Sequence, residues 1–135
     1  RCEEMKADDN LYLIMIDINN FKNINDTYGH AEGDSALAMT AMALRKAAAS
    51  RRAFLARIGG DEFAMIMENT DVQKTEAMVR KIRRCMDYEN AGSGKAYTVS
   101  LAIGYAGMRG SDQMKFDRLF TLADARMYTD KRQFH

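Results

Sequence analysis

Three acidic residues, Asp17, Asp61 and Glu62, stand where carboxylates do metal chemistry. Asp17 ends the apolar run 11–16, and Asp61 and Glu62 directly follow the glycine pair Gly59-Gly60. Each has an ordinary structural use as well: Asp17 can cap the following helix, and Asp61 can flank a turn. If the fold brings the three together, the carboxylates repel one another unless a cation lies between them. Oxygen donors with no Cys or His nearby favour magnesium or manganese over zinc. Gly59 and Gly60 lack side chains, so a phosphate or sugar can approach the backbone there.

Beyond Asp17, the amides of Ile18 to Phe21 open a helix, with Lys22 one turn on. A helix N-terminus beside a metal is a phosphate site to which a lysine adds a point charge, although Lys22 is as readily a solvated surface residue. Asn25 and Asp34 flank Gly29. An ionised carboxylate accepts two hydrogen bonds, matching the N1–H and N2–H₂ edge of guanine, and an amide beside it both donates and accepts. Adenine lacks that donor pair, and a good bidentate contact discriminates by roughly 1–3 kcal/mol. Either residue is equally a helix cap. The chain has no phosphate-binding G-x-x-x-x-G-K-[ST] loop, no G-x-G-x-x-G, no G-x-S-x-G and no paired CxxC.

The elements that must position these residues follow from periodicity. The unbroken apolar run 11–16 predicts a strand buried on both faces, hence central in a sheet. Residues 19–27 predict a short helix or turn, and 34–50 a helix with Leu37, Ala41, Leu44 and Ala48 on one stripe. Residues 53–58 and 63–67 predict two strands joined at Gly59-Gly60, whose positive φ angles would make a tight two-residue hairpin. Thr70 to Gln73 fits a capping box before a helix with Val72, Thr75, Val79, Ile82 and Met86 on one face. Residues 91–94 read as a loop. Tyr97, Val99, Leu101, Ile103 and Tyr105 alternate as a fourth strand, and Phe116, Leu119, Phe120, Ala123 and Met127 mark a final amphipathic helix. The order predicts an α+β fold: a central, mostly antiparallel sheet of split β-α-β-β-α-β, ferredoxin-like or palm-like topology, with helices packed around it. In that topology the end of the first strand meets the start of the third, which brings Asp17 to Asp61 and Glu62.

Composition closes off other classes. The 135 residues suit one domain, with 47% apolar and 29% charged residues. Lys plus Arg number 20 and Asp plus Glu 19, a net charge of +1 with no basic excess to bind a nucleic-acid backbone. No apolar run approaches ~20 residues, so no membrane contact by this domain is expected. Cys2 and Cys85 show no metal spacing, which fits a reducing cytoplasm. The sequence begins at Arg1 without an initiator Met, as a piece of a longer protein would.

The chain resembles a known family. Residues 58–63 read IGGDEF and 17–34 read DINNFKNINDTYGHAEGD. Two long motifs in this order resemble the GGDEF domain of bacterial diguanylate cyclases, from Leu11 to Lys131. The resemblance implies condensation of two GTP into cyclic di-GMP with release of two pyrophosphates, across a homodimer supplied by a longer, multidomain signalling protein that could be membrane-anchored. It implies magnesium or manganese held by Asp17, the Ile18 carbonyl and Asp61, with Glu62 beside the attacking ribose hydroxyl and the motif acids assisting its deprotonation. Asn25 and Asp34 would hold guanine, Lys22 and Lys131 would approach the phosphates, and His30 would lie near the nucleotide.

The chain departs from the family pattern at four places. Asn19 replaces a frequent second aspartate. The window Ser50-Arg51-Arg52-Ala53 lacks the Arg-x-x-Asp of the inhibitory product site, so feedback there is expected to be absent. His135 stands in place of an arginine one turn after Lys131. The Asp-x-Leu-Thr opening stretch is missing. The alternative function is a non-catalytic, GTP-binding regulatory module, which the retained motif acids favour less.

Overall fold

The computed structural model describes residues 10–49, 53–68, 70–109 and 116–132. Cys2, residues 50–52 and His135 lie outside the described residues. The elements are β1 (Asn10–Ile18), α1 (Phe21–Tyr28), α2 (His30–Ala48), β2 (Ala53–Arg57), β3 (Glu62–Glu68), α3 (Val72–Ser93), β4 (Leu101–Arg109) and α4 (Phe116–Arg132).

The sheet runs β2-β3-β1-β4 with every neighbouring pair antiparallel, the predicted split topology. Its centre is β1, and the reason is compositional. A strand apolar at successive positions has no face to give to water, so it is stable only between two layers. Ile14, Ile16 and Ile18 pack with residues of α2 and α3, while Leu11, Leu13 and Met15 pack with Leu119, Ala123 and Met127 of α4. Asp17 has the parity of Leu13 and Met15 and therefore belongs to the α4 face.

Close approach of α4 depends on Gly104. A Cβ there would stand 2.0 Å from the Met127 main-chain nitrogen, so only glycine lets the helix lie this near β4. The last turn of α4 is then pinned by Asp130, whose Oδ2 accepts from the Ile103 amide at 2.8 Å and from Arg83 of α3 at 3.0 Å.

Five local expectations are corrected. The connection between β2 and β3 is the four-residue stretch 58–61, closed by the Ile58 amide donating to Glu62 O, and neither glycine has a positive φ. The cap of α3 is Asp71, which accepts from the Lys74 amide at 2.7 Å; Thr70 has no capping role. α3 continues through the expected loop to Ser93 and stops at Gly94, the left-handed residue at φ 68°. β4 begins at Leu101 and not at Tyr97, because Asn90 brackets Val99: its Nδ2 donates to Val99 O and its Oδ1 accepts from Val99 N. Tyr97 instead donates its hydroxyl to Glu32 and rests against Tyr28, tying this stretch to α1 and α2. α2 also starts earlier than expected, at His30, because Gly29 at φ 94° ends α1 and lets a new helix begin at once.

The Gly104 contact is testable. Gly104→Ala is expected to destabilise the domain by about 1–3 kcal/mol, as overpacking does, whereas Gly60→Ala, whose Cβ meets nothing within 4 Å, stays within about 0.5 kcal/mol. Urea denaturation of the two variants measures both.

Candidate active site

The end of β1 meets the start of β3 on the α4 side. Asp17 pairs in register with Glu62, and the Ile18 amide donates to Asp61 O at 3.2 Å, fixing the Asp61 backbone beside Ile18. The Asp17 side chain does not cap α1: the cap residue is Asn20, in the left-handed region at φ 56°, and the first turn has neither a side-chain cap nor an acidic residue. Of the amides expected to open the helix, those of Ile18 and Asn19 are taken by Asp61 O and Ser100 O, and only those of the first turn of α1 remain free of a competing side-chain oxygen. Asp17 is 7% exposed, with Oδ2 accepting from Lys131 Nζ at 2.7 Å and Oδ1 buried without a partner. A buried carboxylate oxygen left unsatisfied is costly unless a proton or cation serves it.

The neighbouring acids report the same field. Asp61 is pushed up from 3.8 to about 6 by burial first, then by a hydrogen bond to Asp17 and by its charge. Two ionised carboxylates have no donor between them, so the hydrogen bond exists only when Asp61 holds a proton. Glu62 is also raised, by burial and by the charges of Asp17 and Asp124, with Lys131 opposing. The expected crowding of three carboxylates is narrower than predicted: among the described residues no group of three or more His, Cys, Asp or Glu side chains is arranged as a metal cluster. The convergence is the pair Asp17–Asp61, with Glu62 coupled to it through charge. Two carboxylates, an adjacent main chain and an orphaned oxygen fit a hard dication that keeps several waters in its shell, as magnesium does.

The glycine loop is shaped from one side. Arg57 donates Nε to Gly59 O at 3.2 Å and an Nη to Gly60 O at 2.7 Å. A Cβ at Gly59 would meet Glu62 Oε1 only at an ordinary 3.6 Å, and one at Gly60 would meet nothing. Neither backbone conformation nor internal packing demands glycine here, so what the pair provides is open space above the backbone.

At the α1–α2 corner, Asn25 lies within α1 and Asp34 in the second turn of α2; neither is a cap. The Asn25 amide rests on Gly33, where an added Cβ would stand 1.8 Å from its Oδ1. Gly33 directly precedes Asp34, which is exposed, as are Lys22 and His30. Lys131 does reach the acid pair, but it pairs with Asp17. Sequence reasoning missed Arg57, Asp124, Asp130 and Gly104. Only Arg57, two residues before the glycines, carried a local signal. A separate groove of about 710 Å³ between α2 and α3 holds none of the predicted site residues, and its lysines, Lys46 and Lys95, are paired with Glu89 and Glu32. No described helix is long and apolar enough to cross a membrane.

An acid pair lies at the rim of an antiparallel, palm-like sheet, beside an uncapped helix start and an open glycine loop. Residues 2–135 match the family described as "Diguanylate cyclase, GGDEF domain". The chain is 39% identical over 95 residues to Diguanylate cyclase A of Treponema denticola, covering 70% of this chain and 25% of that one. It superposes on the active GGEEF domain of a diguanylate cyclase from Vibrio cholerae with a TM-score of 0.81 and 30% identity, covering 92% of this chain and 78% of that one. It superposes on the GGDEF domain of DgcB from Caulobacter crescentus, solved in complex with c-di-GMP, with a TM-score of 0.80 and 27% identity, covering 93% and 74%. The chain belongs to the GGDEF domain family of diguanylate cyclases. It spans about a quarter of the length of the curated relatives it matches.

The raised Asp61 has a consequence for stability. A carboxyl whose folded pKa exceeds its unfolded value binds its proton more tightly when folded, so its contribution falls as pH rises from 3.8 to about 6 and is fully unfavourable above that. Metal-free Asp61→Asn, which supplies Asp17 with a neutral donor, is expected to melt higher than the parent at pH 7.5, by roughly 1 kcal/mol after solvent screening. The two curves converge near pH 4, as thermal melts across pH would show.

Proposed function

We propose that this domain condenses two GTP molecules into cyclic di-GMP and two pyrophosphates, with two copies facing each other within a dimer of a longer parent protein. The observation that carries this is the Asp17–Asp61 pair, with its orphaned oxygen, beside the open Gly59-Gly60 backbone. Asp17, Asp61 and the Ile18 carbonyl would hold the divalent metal, which when bound supplies charge neutralisation at the phosphoryl group and a lowered pKa for the attacking hydroxyl. Asp34 and Asn25 accept and donate at the guanine edge, and Gly33 leaves the space in which Asn25 lies. The free amides of the first turn of α1 and Lys22 would take the phosphates, and His30, exposed at the start of α2, would approach the nucleotide. Glu62, whose pKa is raised by burial and by its acidic neighbours, would accept the proton of the ribose 3′-hydroxyl.

In each half-reaction that 3′-oxygen bonds to the α-phosphorus of the opposing GTP, and the bond to the β-phosphate bridge breaks as pyrophosphate leaves. One domain offers one base pocket, so the reaction needs a two-fold partner, and holding the nucleotides face to face supplies much of the rate. The GGDEF family match and the superposition on an active cyclase domain support this reading.

The test is magnesium-dependent formation of cyclic di-GMP from GTP by the artificially dimerised domain. Asp61→Asn is expected to lower the rate at least 100-fold, in the range of a removed electrostatic element. GTP binding without product would leave a regulatory, non-catalytic module. Base selection is tested separately: Asp34→Ala is expected to weaken GTP by roughly 10–100-fold, the loss of a bidentate contact, while ATP binding stays unchanged in calorimetric titration. Equal losses for both would remove Asp34 from the base pocket.

A further inference from the structure

Lys131 stands nearer to a carboxylate than a residue reserved for phosphates would. Its Nζ lies 2.7 Å from Asp17 Oδ2, and Asp17 is more than nine-tenths buried with its second oxygen unpartnered. The contact is built by the fold. Asp130, the preceding residue, is tied to the Ile103 amide and to Arg83, and Gly104 lets α4 lie against β4 just upstream. A dication on either oxygen of this carboxylate sits within a few ångströms of the ammonium, where like charges repel.

We infer that Lys131 is a built-in counter-cation that competes with the divalent metal for Asp17, and that the nucleotide relieves this competition by drawing Lys131 to its triphosphate. This rests on the metal-site reading above and adds an order to it: metal alone binds weakly, and metal with nucleotide binds well. A long, flexible side chain one-third exposed can swing from carboxylate to phosphate without moving α4. The empty-handed site is thereby kept partly neutralised, and magnesium is taken up where its substrate is present.

The test is Mn²⁺ alone, titrated by electron paramagnetic resonance into the nucleotide-free chain. Lys131→Met is expected to bind Mn²⁺ about tenfold more tightly than the parent, the equivalent of about 1.4 kcal/mol. Lys131→Arg, which keeps the charge, stays within about twofold, as does Arg132→Met, an exposed neighbour in the same turn. Adding a non-hydrolysable GTP analogue tightens Mn²⁺ binding in the parent and closes its gap to Lys131→Met. Thermal melts confirm folding, with Lys131→Gln as the substitute if the Met variant does not fold. Unchanged or weaker Mn²⁺ binding in the Lys131 variant, with binding lost in Asp17→Asn, overturns the competition and leaves the metal site standing. Mn²⁺ binding that survives Asp17→Asn overturns the metal site itself.

Discussion

The structure depends on holding the acidic side chain of Asp17 at the end of a strand whose preceding run, 11–16, is apolar. Burying Asp17 costs several kcal/mol even after relaxation. Leu11 through Ile16 include five fully buried side chains, each contributing about 1.5–3 kcal/mol. Their sum exceeds the cost, so the strand docks at full depth and carries Asp17 with it. Lys131 offsets part of the remainder, and the unserved Oδ1 is what is left over. A site of this kind attracts cations because its own fold has not finished neutralising it.

That constraint links distant parts of the chain. Antiparallel pairing of β1 with β3 sets Asp17 opposite Glu62 and places Asp61 beside them. Pairing of β1 with β4 brings Gly104 and Ile103 under α4, and Asp130 fixes the helix end from which Lys131 reaches back. Asp17 and Glu62 come from the two strands at the sheet's middle and Asp61 from the residue just before β3, whereas Lys22, His30 and Asp34 lie on exposed helix turns.

Much of the architecture was legible because burial leaves periodic traces. The unbroken run 11–16 declared a central strand, and the Leu119, Ala123 and Met127 spacing declared the buried face of α4. The meeting of Asp17 with Asp61 and Glu62 followed from topology alone. Errors fell where side chains compete with the backbone. Asn90 diverts Val99 from the sheet, and α3 runs on through 91–93 to end at Gly94; both depend on hydrogen bonds and conformations that composition does not encode. The glycine pair was read as a left-handed hairpin, yet Arg57 holds the loop in another form by its carbonyls.

The sequence by itself determined which residues carry charge, which strand lies in the middle, and that two acidic stretches must converge, because apolar spacing reports what water excludes. The tertiary structure alone decided that Lys131 serves Asp17, that burial and Asp17 push the Asp61 carboxyl up to about 6, and that Gly104 and Gly33 are there for close approach. Those outcomes depend on distances across docked elements, and a field or a contact between residues far apart in the chain leaves no local pattern to read.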